Sequence, residues 1–264
     1  MVNFQYADCY GVDNLLEIMK LLRSPDGCPW DREQTHQSIR RNMLEEAYEA
    51  AEAIDENDSA HLKEELGDVL LQVVFHAQMA EEAGAFTFDD VVDGICKKLI
   101  FRHPHVFGDG TAQNTDKALA AWDTQKREEK GQKTAGDTLD AVARSLPALI
   151  RAEKIQAKAQ KVGFDWDCIG PVLDKISEET EELRQAVRDG TNVEEELGDL
   201  LFAAAKAGRF LGLDSEQALH GACEKFIRRF RTVEALAGAP LEQLELPTLE
   251  ELWRQAKSQE QQAT

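Results

Sequence analysis

"LKEELGDVLLQ" at 62–72 and "VEEELGDLLFA" at 193–203 repeat one phrase, Glu-Glu-Leu-Gly-Asp followed by a hydrophobic residue and Leu, 131 positions apart. Either a helix-building run is used twice, or the phrase belongs to a duplicated unit that carries a site. Working outward from it favours the second reading. "GCPWD" (27–31) answers "GFDWD" (163–167), and "LEEAYE" (44–49) answers "SEETEE" (177–182). Lys98-x-x-x-Arg102 answers Lys225-x-x-x-Arg229, and Trp122-x-x-x-Lys126 answers Trp253-x-x-x-Lys257. The order is unchanged and the offsets drift only between 127 and 136 residues. Correspondences in register over such a length point to two copies of one unit.

That unit is helical. In 39–58, Leu44, Tyr48, Ala51, Ala53 and Ile54 fall roughly on one stripe among charges. In 60–84 the apolar positions 62, 66, 69, 70, 73, 74 and 77 keep helix spacing, and Gly84 is a C-terminal stop. Thr87 with acids in the next turn caps a helix over 87–102, which the proline of "RHPHVFG" ends. Alternating strand patterns are absent. The expected class is all-α, two tandem helical-bundle units of antiparallel helices. A polar loop at 107–115 and a Gly/Lys/Thr/Asp-rich stretch at 129–147 interrupt the pattern. The expected division is 1–130, a linker at 131–146, and 147–264. Proline and glycine return at 237–247, before a last short helix.

Composition narrows the partners. Fifty acidic against 30 basic residues give a net charge of −20, a surface that repels a nucleic-acid polymer but not a small phosphorylated ligand held by local cations or a metal. No apolar run approaches membrane-spanning length, and the first residues have neither a basic nor a hydrophobic signal region. Five cysteines without a C-x-x-C read as reduced thiols, so the expected compartment is the cytoplasm.

The repeated acids carry the chemistry. Glu46 with Glu49, and Glu179 with Glu182, share a helical face at i, i+3; so do Glu65 with Asp68, and Glu196 with Asp199. If each pair of helices is antiparallel, four carboxylates converge beside the apolar residues Leu66, Val69, Leu197 and Leu200, near the bundle interior. Such a group cannot stay fully ionised without a compensating cation. All-oxygen ligands suit Mg²⁺, with Mn²⁺ as a substitute, and four acids imply either more than one ion or acids acting on water. Any single E-x-x-E here is more often a solvated face; repetition in register is what raises the metal reading. Iron is set aside, because the E-x-x-H spacing occurs at Glu33 and His36, outside the repeated helices. Lys98, Arg102, Lys225 and Arg229 read as phosphate clamps beside a metal, or as surface partners of the acids. Trp122 and Trp253 stack on a base or pack; Trp30 and Trp166 read as structural. His103 and His105 have no counterpart in the second half and read as loop or capping residues.

E-E-x-x-E, a gap of 15 residues in the first half and 13 in the second, then E-x-x-D, together with "GCPWD", "FRHPHVF" and "RSLPALIRAEKIQ", resembles the MazG family of nucleoside triphosphate pyrophosphohydrolases in its tandem form, over nearly the whole chain. The resemblance implies an all-α homodimer that needs Mg²⁺ and converts a nucleoside triphosphate, ATP included, to the monophosphate and pyrophosphate. It implies that Glu178, Glu179, Glu182, Glu196 and Asp199 are catalytic, with Glu179, Glu182, Glu196 and Asp199 holding metal. Lys175, Glu195, Lys225, Arg228, Arg229 and Trp253 would bind the nucleotide. Glu46, Glu49, Glu65 and Asp68 match the metal positions in the first half. The halves differ: Asn42 stands where the second has Lys175, and Phe101 where it has Arg228. The second half is therefore expected to be the stronger catalytic site. A base held by the face of Trp253 predicts broad specificity. The competing readings are a Mg²⁺–nucleotide sensor without turnover and an acidic helical scaffold.

Overall fold

The computed structural model describes residues 4–108 and 114–263, all helices and connections among them. The polar loop expected at 107–115 thus lies mostly outside the described residues. The chain divides into two compact units, Met1–Lys126 and Arg127–Thr264. The first holds α1 (Val12–Arg23), α2 (Pro29–Glu33), α3 (Arg40–Asp55), α4 (Ser59–Glu82), α5 (Phe88–Arg102), the single-turn α6 (Pro104–Phe107) and most of α7 (Thr115–Glu129). The second holds α8 (Ala135–Asp140), α9 (Ala148–Gln160), α10 (Ile169–Asp189), α11 (Val193–Phe210), α12 (Ser215–Leu236), a 3-10 turn at Leu241–Gln243, and α13 (Leu246–Ala263). α8 falls inside the stretch expected as a linker. It is capped by Thr134, whose hydroxyl accepts from Asp137 N, and it packs on α9. The last helix, expected to be short, runs 18 residues. Its first turns carry an apolar stripe of Leu249, Leu252, Trp253 and Ala256 that packs on α12, and the Gln-rich turns beyond Ala256 continue the helix without one.

In the first unit, α3 and α4 form a hairpin, and α1 and α5 pack against α4. Met19 of α1, Ile39, and Val74, Phe75 and Met79 of α4 make the core, each no more than 6% exposed. Arg23 ties α1 to the end of α4 through Glu82 at 2.7 Å, with its guanidinium 5.4 Å from the Phe75 ring. Local signals work as the sequence implies. Thr87 and Asp90 complete a capping box on α5, and Gly84 takes φ +67°, the left-handed stop that glycine adopts without strain.

In the second unit, α10 and α11 form the matching hairpin, α9 packs on α11, and α12 on α13. Gln156 Nε2 donates to the Phe202 carbonyl at 2.8 Å, and Asp165 is buried between Lys206 at 3.1 Å and Arg209. Both hairpins turn in three residues, 56–58 and 190–192, using positive φ at Asn57, Gly190 and Asn192. Connections this short force antiparallel neighbours.

The apolar stripe expected beside the acids is displaced. Leu66 and Leu197 are 53% and 45% exposed, whereas Glu65 and Glu179 are only 8% and 5% exposed. Val69 and Leu200, expected on the same stripe, are half-buried, so the stripe is rotated rather than lost. The glycines between the acids, Gly67 and Gly198, face open space within the chain: a Cβ built on either meets nothing within 4 Å. The close approach they permit is therefore not made by this chain itself.

Replacing Phe75 with Ala is expected to cost about 3–5 kcal/mol, because the core around it closes only partly. Replacing Thr87 with Ala removes one cap and costs about 1 kcal/mol. Urea unfolding of both variants checks the order; equal losses would mean that Phe75 is not a core residue.

Candidate active site

Each hairpin brings its acids together across its turn. In the first, Glu49 and Glu65 lie eight residues on either side of Asn57 (49 to 57 and 57 to 65), and Glu46 and Asp68 lie eleven (46 to 57 and 57 to 68), so two antiparallel helices of equal rise set each pair at equal heights above the turn. The second is offset: Glu182 and Glu179 lie nine and twelve residues before Thr191, Glu196 and Asp199 five and eight after it.

Ligand-capable oxygens of Glu46, Glu49 and Glu65 fall within 4.8 Å of one another in the first unit, and those of Glu179, Glu196 and Asp199 do so in the second. The fourth acid stands close beside each triad. The Glu46 carboxyl is pushed above the ordinary range by burial and then by the charges of Asp68, Glu49 and Glu65. Glu182 is likewise raised, by loss of solvent and then by the charge of Glu179. Crowded carboxylates of this kind fit a hard divalent cation. One atom makes the fit specific. Glu179 is 5% exposed and its Oε2 is buried without a hydrogen-bond partner, an arrangement that costs stability unless a cation or donor completes it.

The cations differ between the units. Lys175 Nζ lies 2.8 Å from Glu178 Oε1 and 2.7 Å from Glu179 Oε1. In the first unit the matching Asn42 offers no charge, and instead His61 Nε2 sits 3.1 Å from Glu65 Oε1. Arg228 and Arg229, expected as phosphate clamps, are both engaged by Glu260 of α13, at 3.3 and 2.6 Å. Lys225 and Glu195 are exposed. Trp253 stands on α13 with Phe226 of α12 at 5.0 Å and the Arg229 guanidinium at 6.0 Å. It borders a groove of about 520 Å³ lined by Phe226, Phe230, Val233, Leu241, Leu246 and Leu249. Trp122 of the first unit is covered by two cations, Arg102 at 5.1 Å and Lys126 at 4.6 Å. His61 and Glu260 had not been singled out from the sequence. An i, i+4 spacing to Glu65 would have suggested the first; nothing local marks the second, which meets the arginines only because α13 returns against α12. His103 Nδ1 bonds the Leu99 carbonyl at the end of α5, consistent with a capping role.

A family model described as the MazG nucleotide pyrophosphohydrolase domain matches residues 34–107 and 171–233, more than half of the chain. The chain belongs to the MazG family. The two matched segments contain both acid clusters, as a tandem arrangement requires, while Trp253 and Glu260 lie beyond them. The chain is 51% identical to a nucleoside triphosphate pyrophosphohydrolase of Escherichia coli (strain K12), over 94% of its length and 98% of that protein. It is 48% identical to the nucleoside triphosphate pyrophosphohydrolase/pyrophosphatase MazG of Thermotoga maritima, over 93% and 95%. A third relative, the Bacillus subtilis protein YabN, is 45% identical over 92% of this chain, which matches 51% of that longer protein.

Glu46 and Glu182 hold protons more tightly folded than unfolded, so their ionisation costs stability as pH rises above the ordinary carboxylate range. A divalent cation bound among these acids would replace those protons. Mg²⁺ should therefore raise Tm more at pH 7.5 than at pH 5, as read by differential scanning calorimetry. An equal shift at both pH values would separate the metal from these acids.

Proposed function

We propose that this MazG-family chain is a nucleoside triphosphate pyrophosphohydrolase that cleaves its substrate to the monophosphate and pyrophosphate, with the second unit as its principal active site. The observation that carries this reading is the buried Glu179, with an unpartnered oxygen, set among Glu196 and Asp199 within 4.8 Å and beside Lys175. The relatives' names supply the reaction, and the acid clusters supply a place for its metal.

Mg²⁺, or Mn²⁺ in its place, would be held by Glu179, Glu182, Glu196 and Asp199 and supplies charge neutralisation for the phosphates and the departing pyrophosphate. Everything else falls to side chains. Lys175, Lys225, Arg228 and Arg229 carry the positive charge that meets the triphosphate, the last two by exchanging Glu260 for phosphate oxygens. Glu178 and Glu195 flank the cluster on the same helices and help to orient the substrate and an attacking water in line with the leaving group. No covalent enzyme intermediate is needed. The groove beside Trp253 offers the base an aromatic face and apolar walls, which supports broad base acceptance. In the first unit Glu46, Glu49, Glu65 and Asp68 also suit a metal. Without Lys175's counterpart, and with Trp122 covered by Arg102 and Lys126, that unit serves regulation or structure.

A homodimer accords with the surface. Two separate globular bodies of half this mass would together expose about 14,000 Å², whereas the chain exposes 18,561 Å². Leu66, Leu70, Leu197, Leu201 and Phe202 are exposed on the site-bearing hairpins, and Gly67 and Gly198 leave room for a close neighbour. Among the described residues no helix is long and apolar enough to cross a membrane. With a charge of −20, this agrees with a cytoplasmic enzyme that does not bind nucleic-acid polymers.

Product analysis by ³¹P NMR, with Mg²⁺ and a panel of ribo- and deoxyribonucleoside triphosphates, is expected to show monophosphate and pyrophosphate. Glu179→Gln should remove turnover and Glu46→Gln should leave most of it; the reverse would move the active site to the first unit, and orthophosphate with diphosphate would contradict the reaction. A Leu197→Asp variant should sediment as a monomer, whereas an unchanged dimer would place the interface elsewhere.

A further inference from the structure

Lys175 touches two acids of the second unit at once. Its ammonium lies 2.8 Å from Glu178 Oε1 and 2.7 Å from Glu179 Oε1, and Glu179 also contributes an oxygen to the cluster with Glu196 and Asp199. The side chain is about one-third exposed and Glu179 is buried, so the lysine approaches a buried carboxylate from the solvent side. We propose that Lys175 is a positioning residue that couples the two ligands of the site: it screens Glu179 from a divalent cation until a triphosphate draws its ammonium away. This rests on the metal placement of the preceding subsection and adds to it an order of binding.

The physical case is one of competing attractions. A positive charge within a few ångströms of Glu179 opposes a second cation at the same carboxylate, and at about 6 Å the opposition is worth roughly a factor of ten even at the dielectric of water. The same ammonium is attracted to a polyphosphate. When a triphosphate engages it, Glu179 regains its full charge and the metal is held more tightly. By reciprocity the metal then strengthens triphosphate binding by the same factor. Both acids hold the Lys175 proton strongly, so the ammonium stays charged throughout and the coupling is not a titration. The first unit serves as an internal contrast. Asn42 occupies the matching position and brings no charge to Glu46, whose carboxyl is pushed up by burial and then by its acidic neighbours. A merely structural i, i+4 pair on the surface of α10 would contribute a little helix stability and no coupling.

The test measures metal binding directly, by the free-ion EPR signal of Mn²⁺, on the full chain in a Glu65→Gln background that weakens the first cluster. Each chain is titrated with and without an α,β-imido nucleoside triphosphate, which is not cleaved at that bridge. Without nucleotide, Lys175→Met is expected to bind Mn²⁺ about tenfold more tightly than the chain retaining Lys175. The tightening produced by the nucleotide should shrink by about the same factor, and Lys175→Arg should restore both values. Lys175→Gln, which keeps a polar side chain without the charge, gives the same reading should Met disturb α10. Mn²⁺ affinity unchanged or weakened in both neutral variants, or a nucleotide effect as large as before, would overturn the coupling while leaving the metal site intact. If instead adding Glu179→Gln to the same background leaves Mn²⁺ binding unaltered, the metal placement fails and the coupling fails with it.

Discussion

Like charges forced together across a two-helix turn are the constraint on which the rest of the molecule depends. Each hairpin turns in three residues and gathers four acids from its two helices, two of them, Glu65 and Glu179, almost fully buried. A folded protein tolerates such a group only by protonating it, pairing it or binding a cation. The two units divide these solutions. The first raises the affinity of Glu46 for its proton and sets His61 against Glu65. The second places Lys175 on Glu179 and keeps one carboxylate oxygen buried and unpartnered.

That division leaves a duplicated unit room for the two roles proposed above without loss of its fold. The hairpin, the three-residue turn and the acids are retained in both halves. The differences lie in side chains around them: Lys175 against Asn42, Arg228 against Phe101, and a tryptophan beside an apolar groove against one covered by two cations. The α3–α4 and α10–α11 hairpins that carry the acids are kept through these differences.

Much of this was legible in the chain as written. The duplication, the helical class, the Thr87 cap, the Gly84 stop and the pairing of E-x-x-E with E-x-x-D are local or periodic features, and such features depend on neighbours three or four residues away. The expected stripe of Leu66 and Leu197 turned outward because periodicity states which residues share a face, not which face meets the core. The length of α13 was hidden because its apolar stripe ends at Ala256, and the Gln-rich turns beyond it carry no apolar pattern.

The sequence by itself determined that two equivalent acid sets exist and that antiparallel helices would bring each together, since spacing and turn length decide both. Tertiary structure alone decided which acid of each set is buried and what neutralises its neighbours. Glu260 reaches Arg228 and Arg229 from 32 and 31 positions away, and Phe226 meets Trp253 across the α12–α13 contact. Burial and charge pairing are sums over everything that packs nearby. Those neighbours are chosen by where helices cross, and no local pattern records the crossing.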